Sequence, residues 1–224
     1  MKLAHTIFES PIEIKENSAA VVVFENQKQF YEAIEDLYKQ IQGSEGEWVL
    51  SEKDKILDIE KHIHMITEPL SIDFNTRKIQ NKLYALLKEQ SFSETNYRLT
   101  SEICGQISTY ATKIAENIDF PVVCADIEDP VGIFRLVDAK LEIEYKNLTE
   151  KILDYISIMQ DFFNISVFAF INLKCYMTGA ELETLYKACF YKKINLILFE
   201  NTLRDGKSEH ETEKIIDFDL CEIY

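Results

Sequence analysis

Glycine and proline are scarce, six and four in 224 residues. That shortage argues against a disordered chain, a collagen-like repeat and a glycine-rich phosphate loop. Cations are the minority charge: 24 Lys and Arg stand against 39 Asp and Glu, a formal −15. Such a chain repels nucleic acid and anionic membrane unless it segregates its charge or recruits cations. No stretch approaches the roughly 18 consecutive apolar residues of a membrane span. The opening Met1–His5 meets Glu9 and Glu13 too early for a signal-peptide core. A cytoplasmic protein without membrane contact is therefore expected. The five cysteines, Cys104, Cys124, Cys175, Cys189 and Cys221, are odd in number, widely spread and form no C-x-x-C pair. They read as reduced, mostly buried thiols rather than a disulfide framework or zinc knuckle.

What is present is a foldable chain, 46% apolar and 12% aromatic. Residues 19–24, Ala-Ala-Val-Val-Val-Phe, form a continuous apolar run that suits a parallel strand buried on both faces. Asn26-x-x-Gln29 then offers a helix cap. Phe30, Ala33, Ile34, Leu37, Tyr38 and Ile41 follow on one helical face, which Gly43 and Gly46 close. Trp48-Val49-Leu50 reads as a short strand, and residues 62–67 as another or as a helix-to-strand passage. The first dozen residues, with Ile7, Phe8, Ile12 and Ile14 around Pro11, look like an edge hairpin.

From Asn75 the period becomes helical. Ile79, Leu83, Leu86 and Leu87 mark one helix. Ser91-x-x-Glu94 offers a capping box for a second, carrying Leu99, Ile103, Ile107, Tyr110, Ile114 and Ile118 up to Pro121. Asp129-Pro130 reads as a cap with proline at the first helical position, with Ile133, Phe134 and Val137 behind it. Ile152, Leu153, Ile156, Met159 and Phe163 mark a last helix. Strand signals return in residues 167–173, Thr178-x-x-Glu181 caps a helix, and residues 195–200 form a second buried strand. Residues 216–223 alternate like an edge strand. The expected fold is α/β: a head of residues 1–74 and 164–224 carrying an inserted helical domain of residues 75–163.

Motif chemistry is sparse. The junction Phe24-Glu25-Asn26-Gln27-Lys28 has no glycine, and G-x-x-x-x-G-K-[ST] is absent, which excludes nucleotide hydrolysis through a phosphate loop. G-x-S-x-G is also absent, and no cysteine has a neighbouring histidine. His62-x-His64 would share one strand face as half a metal site, but ordinary histidines fit as well. Glu13-x-Lys15 and Glu144-x-Lys146 match a nuclease E-x-K spacing that chance also supplies. Between Lys113 and Arg135 lie five acidic residues, Glu116, Asp119, Asp126, Glu128 and Asp129, and no basic one; Glu142 and Glu144 follow. These are the candidate ligands of a hard cation, calcium, or else a solvated acidic face. Lys53, Lys55 and Lys61, and Arg77, Lys78, Lys82 and Lys88, form two basic groups that are candidate phosphate contacts or the wet side of their elements.

The ordered set of segments resembles the Csn-two family, the small accessory adaptation protein of type II-A CRISPR systems, in its short form. Phe8-Glu9-Ser10-Pro11-Ile12-Glu13-Ile14 is similar to its N-terminal strand pair, and residues 20–26 to its first core strand. Residues 70–76 are similar to its passage into the helical part. Residues 167–172, the Thr178-x-x-Glu181 helix and residues 196–200 resemble its late strand–helix–strand unit. The resemblance implies a RecA-like, degenerate ATPase-type head with a mainly parallel sheet, plus a helical leg. It also implies a ring-shaped homotetramer, calcium ions holding the leg, and double-stranded DNA in the central hole. The implied role is non-catalytic: spacer acquisition alongside the CRISPR integrase proteins and the RNA-guided effector nuclease. Net charge −15 opposes DNA binding, but four copies of a basic patch around one hole, with calcium on the legs, would supply local positive potential. A metal-dependent nuclease using the acidic cluster and a structural partner-binding protein without DNA contact are the alternatives.

Overall fold

The computed structural model describes residues 1–53, 55–204, 206 and 208–223. In chain order its elements are β1 (Lys2–Ala4), β2 (Ile12–Glu13), β3 (Ala19–Phe24), α1 (Gln27–Ile41), β4 (Val49–Glu52), β5 (Lys55–Leu57), α2 (Ile59–His62) and β6 (Ile63–Ile66). The helices α3 (Arg77–Ser91), α4 (Tyr97–Ala115), α5 (Val131–Leu136) and α6 (Leu148–Phe163) follow. The chain closes with β7 (Val167–Ile171), α7 (Gly179–Tyr191), β8 (Asn195–Glu200), β9 (Glu211–Ile216) and β10 (Glu222–Ile223). Two compact units emerge, Met1–Ile72 with Glu144–Tyr224, and Asp73–Ile143.

The first unit is α/β, with a six-stranded sheet in the order β10-β9-β3-β8-β7-β6. All of its pairings are parallel except that of β10 with β9. The mainly parallel sheet is therefore as the sequence predicts, and β3 is buried at all six positions, its edges flanked by β9 and β8 and its side chains buried on both faces of the sheet. One face of the sheet, through Ala20, Val22, Phe24, Ala169, Ile197 and Phe199, joins a core with Leu37 of α1, Trp48 and Leu50. Alternation sends Phe168 to the other face, where the His64 ring lies 6.1 Å away and His64 Nε2 is 3.0 Å from the Tyr155 hydroxyl of α6. The N-terminal hairpin belongs to a separate antiparallel sheet, β2-β1-β4-β5.

Local chemistry sets the ends of these elements. Asn26 caps α1 by accepting the Gln29 amide at 3.1 Å. Gly43 follows its C-cap at φ +89°, a conformation costly for any residue with a Cβ. Thr178 and Glu181 form the reciprocal capping box on α7. In the second unit, the Asn75 side chain both donates to and accepts from the Leu141 backbone at 2.9 Å, tying together the two ends of the segment.

Several expectations are corrected. The helix of residues 148–163 lies in the α/β unit, because Ile152, Tyr155, Ile156 and Met159 are buried there and α6 packs beside α7. Ser91 does not open a helix. It ends α3, its hydroxyl donating to Leu87 O at 2.7 Å, and α4 starts at Tyr97. That helix stops at Ala115, well before Pro121. Pro130 is itself the cap of α5, and Asp129 accepts the Val131 amide from one residue earlier. Residues 216–223 are strand only at their ends: Ile216 closes β9, Glu222–Ile223 form the edge strand β10, and between them is a turn in which Asp217 Oδ1 accepts the amides of Asp219 and Cys221 at 2.9 and 2.8 Å. Only Cys104 and Cys189 are buried; Cys124 is half-buried, and Cys175 and Cys221 are exposed.

Candidate nucleic-acid interface

In a parallel sheet the carboxyl ends of the strands are where ligands are usually held. Here the β3–α1 junction is closed from within. Glu25 donates its amide to Ile216 O at 2.9 Å, and the Asn26 side chain donates to Phe218 O at 3.3 Å. Asn26 takes up a first-turn amide of α1 and Glu25 keeps an acidic side chain beside it, an arrangement hostile to phosphate.

Two groups of cations lie in the two units. In the α/β unit, Lys53 and Lys55 are exposed at the β4–β5 connection, and neither makes an ion pair among the described residues. Lys61 differs. Its ammonium lies 2.7 Å from Asp58, which raises the lysine pKa and holds the Asp58 carboxyl below its usual range. Its charge is thus partly answered. In the helical unit, Arg77 and Lys78 are exposed on the first turn of α3, and Lys82 lies one turn after Lys78. Cations at a helix N-terminus oppose its dipole, so helix stability does not account for them there. Lys88, on the last turn, is bound to Asp129 at 3.0 Å.

The acidic residues are spread along one irregular stretch. Glu116 caps the C-terminus of α4, and Asp119, Asp126, Glu128 and Asp129 are exposed between α4 and α5. The Val131 amide and then Lys88 hold the Asp129 carboxyl below its usual range. Glu142 is exposed near the end of this unit, and Glu144 falls in the other. Calcium takes six to eight oxygens at about 2.3–2.6 Å. Among the described residues, no three His, Cys, Asp or Glu side chains are grouped to hold a metal ion. As placed, the acidic set is a row of separate carboxylates rather than a ligand shell.

The remaining candidates resolve into local pairs. His62 ends α2 and His64 lies in β6, so they share no strand face. His62 Nδ1 is 3.4 Å from the Ser166 hydroxyl. Glu13 and Lys15 pair with each other at 2.9 Å, and Lys146 gives its amide to Glu150. The apolar stripe of α4 is not core: Leu99, Tyr110 and Ile114 are 57%, 68% and 50% exposed.

Sequence reasoning passed over a buried charged cluster under α7. Lys174 Nζ lies 2.8 Å from Glu211 Oε2, and the Tyr186 hydroxyl donates to Glu211 Oε1 at 2.7 Å. Glu200, at the end of β8, accepts the Lys174 amide at 3.0 Å, while its other oxygen is buried with no partner among the described residues. Burial pushes the Glu200 carboxyl up and, with the Glu211 bond, pushes the Tyr186 phenol up. The one signal in the sequence is a glutamate that ends an otherwise apolar strand.

Among solved structures the chain is similar to an ABC transporter ATP-binding protein from Pyrococcus furiosus, at 10% identity and TM-score 0.39, covering 96% of this chain and 97% of that one. It is also similar to an ATP-binding cassette solved as a dimer with ADP and Pi, at 10% identity and TM-score 0.37, covering 86% and 78%. At these scores neither title bears on what this chain binds. No curated protein matches it. Among the described residues no helix is long and apolar enough to cross a membrane. The family described as "CRISPR-associated protein (Cas_Csn2)" matches residues 40–220, well over half of the chain, and to that CRISPR-associated family the chain belongs.

Proposed function

We propose that this chain is a non-catalytic, calcium-dependent, double-stranded-DNA-binding protein of CRISPR spacer acquisition. It works as a ring-shaped homotetramer alongside the integrase proteins and the RNA-guided effector nuclease. Family membership over residues 40–220 is the observation that carries this reading. The exposed cations Lys53, Lys55, Arg77 and Lys78, with the half-buried Lys82, support a phosphate-reading interface, which needs local rather than net positive charge. The exposed apolar face of α4 supports assembly with further copies, since such a face is stabilised by burial. Calcium dependence rests on family membership alone. The acidic residues are not grouped as ligands, and no step is routed through the ion.

The test is a mobility shift on linear duplexes of unrelated sequence, with calcium or chelator, and with magnesium or manganese as a nuclease control. Retarded, full-length DNA of every sequence is expected. Shortened DNA would make the protein a nuclease, and unretarded DNA would leave it a partner-binding protein.

A further inference from the structure

His5 lies just after β1 with its side chain 8% exposed. Its ring centroid is 4.6 Å from that of Trp48. Nδ1 accepts the Ile7 amide at 3.2 Å, so the neutral ring carries its proton on Nε2. Nε2 faces a gap. Asp36 Oδ2 and Glu47 Oε2 are each 3.8 Å away, too far for a hydrogen bond. Both carboxylates are anchored, Asp36 by the Glu47 amide at 2.9 Å and Glu47 by the Thr6 hydroxyl. The charged groups on this cavity are Glu32 and Asp36 from α1 and Glu47 from the approach to β4. Thr6 and Ile7 add no charge, and among the described residues no lysine or arginine lines it.

We propose that His5 is a proton-operated switch of the connection between β1 and β2. Neutral, the ring holds the Ile7 amide and stops short of the two carboxylates. A proton taken from solvent onto Nδ1 makes both ring nitrogens donors. The Ile7 bond is then lost, and the imidazolium moves to close the gap to Asp36 and Glu47. The connection must rearrange with it, and Phe8, whose ring lies 5.8 Å from Phe24 and 5.9 Å from Trp48, transmits that change into the core. Burial holds the imidazole below its ordinary value while the two carboxylates raise it, and burial is the larger influence. The switch therefore works below about pH 6.5.

Trp48 is the only tryptophan and serves as the probe. An imidazolium in ring contact quenches indole emission more strongly than a neutral imidazole. A fluorescence titration of the full chain should show one reversible transition with a midpoint below about 6.5, at constant far-UV ellipticity. The transition should vanish in His5→Gln. In Asp36→Asn with Glu47→Gln, which removes both nearby negative charges, the midpoint should fall further, by about half a unit or more. Absence of a transition, its survival in His5→Gln, its coincidence with loss of ellipticity, or an unchanged or raised midpoint in the double variant would each overturn the proposal. If His5→Gln does not fold, the double variant decides.

Discussion

Replacing Lys174 by methionine removes the ammonium that faces Glu211 beneath α7. Side chains of the pair are 8% and 2% exposed, so water cannot take over the lost partner. Breaking a buried ion pair from one side costs about 3–5 kcal/mol, chiefly because a charge is left buried and unpaired. Glu211 would keep the Tyr186 hydroxyl at 2.7 Å, which places the expected loss near the lower end, about 3 kcal/mol. For a chain of this size each kcal/mol lowers Tm by about 2–4 °C, so Lys174→Met should melt about 6–12 °C below wild type. Adding Glu211→Gln removes the stranded charge and keeps an acceptor for Tyr186. The double variant should return to within about 1 kcal/mol of wild type, because apolar or neutral replacements of buried pairs are often nearly neutral. Thermal unfolding by circular dichroism at neutral pH reads both. A single-variant loss below about 1 kcal/mol, or a double variant no more stable than the single, would refute this account of the cluster.

Three further outcomes follow from other contacts. Glu200, buried with one oxygen unpartnered among the described residues, has its folded pKa raised above the unfolded value by that burial. Its effect on stability is therefore most favourable below the unfolded value and is lost as pH rises toward the folded one. Glu200→Gln should equal wild type in acid and become the more stable of the two as pH rises toward neutrality, and a gap that narrows instead would contradict the assignment. Thr178→Ala removes the cap of α7 and should cost about 1 kcal/mol by chemical denaturation, with no effect at all as the contrary result. Calcium at a hundredfold excess over its dissociation constant should stabilise the folded chain by about 2.7 kcal/mol. Identical wild-type melts with calcium and chelator would remove the ion from the account.

Where one interaction dominates, the fold is readable from residues alone. Residues 19–24 and 196–199 are apolar because neighbouring strands and both faces exclude water, so run length suffices to find them. The Asn26 and Thr178 caps are readable because their chemistry spans three residues. Ser91-x-x-Glu94 has the same pattern, but the hydroxyl turns back to Leu87 and ends a helix, a choice set by chain direction rather than composition. Periodicity finds the apolar faces of α4 and α6 equally well. It does not say that α6 is buried in the α/β unit while Leu99 and Tyr110 stay exposed. The candidate site is less legible still. Runs of charge give the residues, but Lys61 and Lys88 are paired with Asp58 and Asp129, and only the structure separates them from Lys53 and Lys55. Lys174 and Glu211 are 37 residues apart, and their meeting leaves no pattern in the sequence.

The central claim is that this CRISPR-associated chain reads DNA phosphates through exposed lysines, and the most direct measurement is duplex affinity against salt for three proteins. Wild type should bind unrelated duplexes alike, with log affinity falling linearly in log salt at about 0.9 per phosphate contacted. Lys53→Glu with Lys55→Glu, or Lys78→Glu with Lys82→Glu, should weaken binding for every sequence and flatten that slope. An affinity indifferent to salt, a strong preference for one sequence, or two double variants that both bind like wild type would contradict it.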